Sequence, residues 1–186
     1  MNRPKILLSG DERLSAFRAA GARDTAGPLV VGWREWASLP ELGIAQVEAK
    51  IDTGARTSAL HANSIEAFDR DGARWVRFDV TGEAASVPWH EALVADRRSV
   101  RSSNGETEMR YVIRTALSLA GHLWPVEISL TNRERMELPM LIGRAALAGR
   151  ALVDAEKSWL CGRPRWRSVR RRSVRPAKAR RRKSGE

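Results

Sequence analysis

A chain of 186 residues with 42% hydrophobic residues can build one sizeable core, which bounds it at one domain with tails or at most two small ones. The net charge of +11 does not make the whole chain a nucleic-acid binder. Residues 163–186 carry ten arginines, two lysines and one glutamate, while residues 1–162 balance 21 basic against 21 acidic side chains. The single cysteine, Cys161, excludes an internal disulfide and suits a reducing cytoplasm, the expected compartment. No stretch is long and apolar enough to span a bilayer. The short run Ile6-Leu7-Leu8, followed by Asp11 and Glu12, is too brief for the apolar part of a signal peptide.

In chain order, residues 1–28 lack a stable period and end in Gly27-Pro28, which reads as a flexible arm. The body, residues 29–162, opens with a strand at Leu29–Trp33. Trp33 and Trp36 add large apolar area that belongs in a core, with ligand stacking as the alternative. Leu39–Gly43 turns into a second strand, where Ala45, Val47, Ala49 and Ile51 alternate with polar residues. Ser58–His61 is short and mixed, and Ser64–Phe68 begins a further element. Arg70-Asp71-Gly72 signals a hairpin into Trp75–Val80. Ser86–Ala95 follows as a strand broken by Pro88, and Asn104-Gly105 is a second hairpin turn. Tyr111, Ile113, Thr115, Leu117 and Leu119 line one strand face, and Trp124, Val126, Ile128 and Leu130 line the next. Pro125 predicts an edge or a bulge there. Leu138–Gly143 is a short buried run, Arg144–Leu147 one turn of helix, and Ala151–Asp154 a closing strand, with Trp159-Leu160 as a final one. Many short strands between turn residues predict an all-β body.

The chemistry centres on Lys50–Ala62, where the second strand stops at Asp52-Thr53-Gly54. Asp and Gly are poor inside strands and good in turns, so a carboxylate is held at a strand end on a tight loop. The Thr53 hydroxyl can tie that loop, and Gly54 permits a close approach. One carboxylate is an ordinary base. Two that share a proton differ: the charged one activates water and the protonated one polarises a carbonyl. This chain has one Asp-Thr-Gly, so a pair requires a second Asp52 across a two-fold axis, and catalysis and homodimerisation become one hypothesis. Leu141-Ile142-Gly143 can form an apolar floor beneath the loop, with Arg144 beside it. Ser102-Ser103-Asn104 reads either as a mobile cover over a cleft or as a plain surface hairpin.

Asp52-Thr53-Gly54-Ala55 followed by Leu141-Ile142-Gly143-Arg144 resembles the two signature blocks of retropepsin-type aspartic proteases. With Gly32–Trp36, Ser102–Gly105, Val112–Thr115 and Thr131–Arg133, the body resembles the bacterial and archaeal family long labelled "ATP-dependent zinc protease". That family is described as retropepsin-like and is associated with an ATP-grasp ligase that adds glutamate to a ribosomal protein. The resemblance implies a single pepsin-like lobe, a closed, barrel-like β-structure that works as a homodimer. By it, Asp52 takes the catalytic position, Thr53 and Gly54 support it, and Leu141, Ile142 and Gly143 form the block behind. Arg56 and Thr57 depart from the acidic residues usual in viral retropepsins.

The older family label finds little footing in the residues. His61, His90 and His122 are scattered and no His-Glu-x-x-His occurs, so no metal or other cofactor is expected. No phosphate-loop motif occurs either, and any ATP chemistry belongs to a partner ligase. A serine route through Ser58 and His61, three residues apart, lacks a nucleophile elbow, and Cys161 lies at the domain edge. The main alternative is a non-catalytic module that grips acidic peptides through Arg56, Arg110, Arg114, Arg133 and Arg144. In the hydrolase reading, Arg56, Arg144 and Ser102–Asn104 bind substrate, expected to be a peptide or amide bond in a glutamate-rich or glutamate-extended tail.

Residues 163–186, with two prolines and repeated arginine runs, are expected to be disordered, and read either as a segment that contacts RNA, ribosomes or anionic surfaces without sequence preference or as a plain extension with no binding role. Removing everything after Gly162 tests this. A tail that neutralises six to ten phosphates gives binding that weakens by roughly 10³–10⁵ between about 50 and about 200 mM salt. The truncated chain should lose that salt-sensitive component, and equal RNA binding by both forms would refute the assignment.

Overall fold

The structure, a computed structural model, describes residues 27–80, 89–101, 105, 107–132 and 137–162. The expected arm (apart from Gly27 and Pro28), the basic tail, Ser102–Asn104 at the second hairpin and Arg133 lie outside the described residues. Among the described residues ten strands follow one another: β1 Leu29–Leu39, β2 Ile44–Asp52, β3 Ser58–His61, β4 Ile65–Arg70 and β5 Ala73–Phe78. Then come β6 His90–Arg101, β7 Thr107–Leu119, β8 His122–Thr131, β9 Met140–Gly143 and β10 Ala151–Ser158, with a short 3-10 turn, Pro40–Leu42, after β1 and a short α-helix, α1 Arg144–Leu147, after β9. The all-β reading holds. Among the described residues no helix is long and apolar enough to cross a membrane.

The strands form one sheet in the order β10-β1-β2-β9-β3-β8-β7-β6-β5-β4, and a further pairing of β1 with β7 closes six of them into a ring. The closure is short, Ala37 with Leu119 and Ser38 with Ser118. It works because the outer edge of β1 is shared, its first half going to β10 and its last residues to β7. Inside, alternate residues supply the core, including Leu39, Ile44, Leu60, Ile113, Leu117, Ile128, Leu130, Met140 and Ile142, all fully or almost fully buried. The hairpins close as their turn residues dictate. Asp71 and Gly72, and Ala120 and Gly121, all adopt positive φ, the geometry of turns whose twist matches the strands. β3 pairs with β8 only over Ile128–Thr131, so Pro125 sits where β8 has β7 on one side alone, and its missing N–H breaks no ladder.

Two expectations are corrected. Trp33 and Trp36 do not enter the core, since both are half-buried. A bulge between Gly32 and Arg34 re-aims Trp33, and the alternation gives the interior to Glu35, Ala37 and Leu39. Trp159-Leu160 is not a strand: Trp159 has φ 54° and its N–H donates to the Arg34 carbonyl at 2.8 Å, turning the chain back over β1. Arg34 lies over the Trp159 ring at 4.9 Å.

Glu35 explains why that turn is there. Its carboxylate is fully buried and accepts three backbone N–H groups: Gly32 at 2.7 Å, Leu160 at 2.9 Å and Cys161 at 3.2 Å. One side chain thus satisfies the bulge in β1 and ties the end of the body to its beginning. Gly32 must lack a side chain, because a Cβ would overlap the Lys157 carbonyl. Replacing Glu35 with Ala should strip three donors of their acceptor and cost about 3 kcal/mol or more in urea unfolding, with Gln costing less because one oxygen survives. Burial first, then the Glu35 charge and its hydrogen bond, push the Cys161 thiol up to about 12. The thiol is therefore protonated at pH 8. A disulfide reagent should modify the folded protein at least about 100-fold more slowly than the unfolded chain, and equal rates would contradict this environment.

Candidate active site

Asp52 is the last residue of β2, and its backbone lies beside Gly143, the last residue of the parallel strand β9. The side chain is half-buried. Its Oδ1 accepts the N–H groups of Gly54 at 2.9 Å and Ala55 at 3.0 Å. The carboxylate therefore closes its own loop, as Asp does in turns, and its orientation is set by backbone rather than by a mobile side chain. A Cβ on Gly54 would stand 3.2 Å from that same oxygen, so the glycine makes room for the carboxylate itself.

The second sequence block completes the loop from below. The first N–H groups of a helix have no partner within it. In α1, Arg144 N–H donates to the Ala55 carbonyl at 2.8 Å and Ala145 N–H to the Arg56 carbonyl at 3.0 Å. Arg144 Nη1 donates to the Thr53 carbonyl at 2.8 Å. Gly143 N–H donates to Ser58 Oγ at 3.1 Å. This fit demands glycine at 143, where a Cβ would lie 2.6 Å from the carbonyl carbon and oxygen of Thr57. Two stretches some 90 residues apart in sequence are thus one interlocked unit. Ile142 is fully buried in the core, while Leu141 is half-buried on the same sheet side as Asp52.

The remaining sequence candidates are distributed as follows. Arg56 and Thr53 are exposed on the loop. Arg144 spends one of its five donors on Thr53. Arg114 pairs with Glu127 at 3.0 Å, and Arg110 with Glu108 at 2.8 Å. Ser58 and His61 lie on β3, where residues three apart point to opposite faces, so they do not form a catalytic pair. Ser58 Oγ receives the Gly143 N–H, and the Ser58 carbonyl receives Ser129 Oγ at 3.1 Å. His90 is buried, with Nδ1 2.8 Å from the Leu42 carbonyl. Among the described residues no three His, Cys, Asp or Glu side chains gather closely enough to hold a metal ion. Sequence reasoning missed Ser58 as the bracket of Gly143, and it missed the Glu108–Arg110–Thr131 cluster. Of that cluster the sequence singles out Arg110 alone, as one of five carboxylate-gripping arginines, without its partners Glu108 and Thr131.

A family model described as "RimB-like: Retropepsin-like aspartic endopeptidase RimB" matches residues 30–164. A protein named "Probable alpha-L-glutamate ligase" from Shewanella halifaxensis (strain HAW-EB4) is 43% identical over 136 residues, covering 72% of this chain and 30% of that protein. One of the same name from Parasynechococcus marenigrum (strain WH8102) is 47% identical over 137 residues, covering 72% and 29%. The chain thus spans under a third of the length of these curated relatives. The crystal structure of Lpg0085, a protein of unknown function from Legionella pneumophila subsp. pneumophila str. Philadelphia 1, superposes with a TM-score of 0.60 at 25% identity, over 72% of this chain and 98% of that one. The strand-end Asp-Thr-Gly loop, the helix-backed Leu-Ile-Gly-Arg block and the match over residues 30–164 converge on one conclusion: the chain belongs to the RimB-like family of retropepsin-like aspartic endopeptidases.

Proposed function

We propose that this protein is an aspartic-type peptidase that acts as a homodimer, its body being residues 29–162. The observation that carries the reading is the Asp52 loop, a carboxylate held at a strand end by two backbone N–H groups and backed by α1. One such carboxylate is half of the required machinery, and a second protomer supplies the other half. The charged Asp52 takes a proton from water as its oxygen attacks the carbonyl carbon. The protonated Asp52 of the second copy donates to the carbonyl oxygen. Collapse of the tetrahedral species then breaks the C–N bond, and the leaving amine takes up a proton from the pair.

The substrate we assign is a peptide or amide bond in a glutamate-rich or glutamate-extended protein tail. Support comes from the relatives. In proteins named as glutamate ligases, the stretch similar to this chain is part of the same polypeptide. A hydrolase joined to an enzyme that adds glutamate suits trimming or editing of that product. The exposed Arg56 and the loop-bound Arg144 supply positive charge beside the Asp52 loop.

The test gives purified full-length protein a peptide ending in several glutamates and an alanine-substituted copy, followed by mass spectrometry. Sedimentation of the same sample reports the dimer. Cleavage of the acidic peptide alone, reduced at least about 100-fold in Asp52→Asn, is expected. Unchanged cleavage in Asp52→Asn would remove the mechanism. Binding without cleavage by a monomer would instead favour a non-catalytic acidic-peptide module.

A further inference from the structure

The sheet register shows which side chains share a surface with Asp52. Residues paired in register lie on one face, and steps of two along a strand stay on it. Asp52 lies beside Gly143, two residues after Leu141. Leu141 pairs with Ala59, Ala59 with Ser129, and Ser129 with Val112, with no bulge between them. Two residues further along β8 and β7, the same face carries Thr131 and Arg110. The span from Asp52 to Arg110 is four strand spacings of about 4.8 Å across and about four residues along the strands, at most about 23 Å over the sheet. An extended peptide covers that in about seven residues.

Arg110 is only 5% exposed, and a guanidinium so deeply placed needs a carboxylate. It meets Glu108, two residues earlier on β7, through an Nε–H bond to Oε2 at 2.8 Å. The same oxygen accepts the hydroxyl of the fully buried Thr131 at 3.1 Å. Yet Glu108 itself is 47% exposed and stands next to the start of β7, at the root of the β6–β7 hairpin. The acceptor reaches in from solvent, whereas the donors are built into the sheet. Nearby Arg98 and Arg114 differ, both being tied to Glu127.

We propose that Arg110 and Thr131 form a recognition subsite for a glutamate side chain of the substrate, and that Glu108 fills it in the free protein. This rests on the hydrolase reading for its setting and names the specificity of the same cleft. A substrate glutamate replaces Glu108 with the same chemical group, so the buried guanidinium keeps a carboxylate throughout. Glu108 turns to the water that already reaches it. The exchange is between two glutamates, so each glutamate of an extended tail can occupy the subsite in turn. An aliphatic side chain cannot, since it would leave Arg110 buried without an anion.

The test is equilibrium binding in the Asp52→Asn background, by calorimetry with a triglutamate and a triglutamine peptide. Glu108→Gln removes the competing carboxylate and should tighten triglutamate about tenfold, leaving triglutamine unchanged. It should also lower the melting temperature and recover it when triglutamate is added. Arg110→Gln should weaken triglutamate at least about tenfold. If that variant folds poorly, the double variant Arg110→Gln/Glu108→Gln carries no unmatched charge and should show the same loss. Affinity for triglutamate that is unchanged in Glu108→Gln, or equal for the two peptides, would overturn the subsite and leave a structural ion pair. Failure of the wild type to cut any glutamate peptide, with the binding pattern intact, would remove the hydrolase reading and leave the subsite standing. Glutamate-selective cleavage that persists in the double variant would do the reverse.

Discussion

The site depends on a helix starting directly against a loop. The four residues of α1 are too few to be stable alone, and their leading N–H groups need acceptors from outside. The carbonyls of Ala55 and Arg56 are those acceptors, and they come close enough because residue 143 has no side chain. The same contact aligns β2 beside β9 and places Ser58 Oγ on the Gly143 amide. Loop, helix and ring are therefore mutually conditional. Asp52 inherits its fixed orientation from this arrangement rather than from contacts of its own beyond the turn it closes.

Two buried charges in the body are handled in opposite ways. Glu35 is surrounded by backbone donors on β1 and on the turn at Trp159–Gly162, groups that cannot leave without unfolding. It acts as a fixed brace, and its charge adds to burial, the larger cause, in pushing up the Cys161 thiol beside it. Arg110 is matched by a side chain that solvent reaches. A fixed acceptor gives rigidity, whereas an exchangeable one leaves a polar recess that another carboxylate can fill. That physical difference separates a structural buried charge from one suited to recognition.

The brace has a consequence at the level of domain organisation. β1 and β10 run side by side in parallel, Leu29 N–H donates to the Arg150 carbonyl at 2.9 Å, and Glu35 holds the turn that follows β10. The last described residues therefore fold back onto β1, with Cys161 beside Val30. A unit of this kind can be joined to a longer chain with little strain. The relatives that contain it as under a third of their length are in keeping with that geometry.

Most of the strands, the hairpin turn at Asp71-Gly72, the single helical turn at Arg144–Leu147 and the strand-end placement of Asp52 were legible in the amino-acid order. Each rests on local chemistry: period-two burial, turn residues tolerant of positive φ, and a carboxylate that closes its own loop. What sequence could not decide involves partners distant along the chain. Trp33 and Trp36 have the composition of core residues, but a bulge and the alternation of β1 gave the interior to Glu35. Ser58 and His61 look paired at helical spacing, but a strand sends them to opposite faces. Arg110 is one arginine among many until the register of β3, β7, β8 and β9 sets it on the Asp52 face beside Glu108 and Thr131. The sequence by itself determined most of the elements and the strand-end placement of Asp-Thr-Gly, because both are encoded within a few residues. Only the tertiary structure decided which buried charge braces the fold and which lies on the Asp52 side of the sheet, because burial and pairing depend on residues brought together from across the sheet.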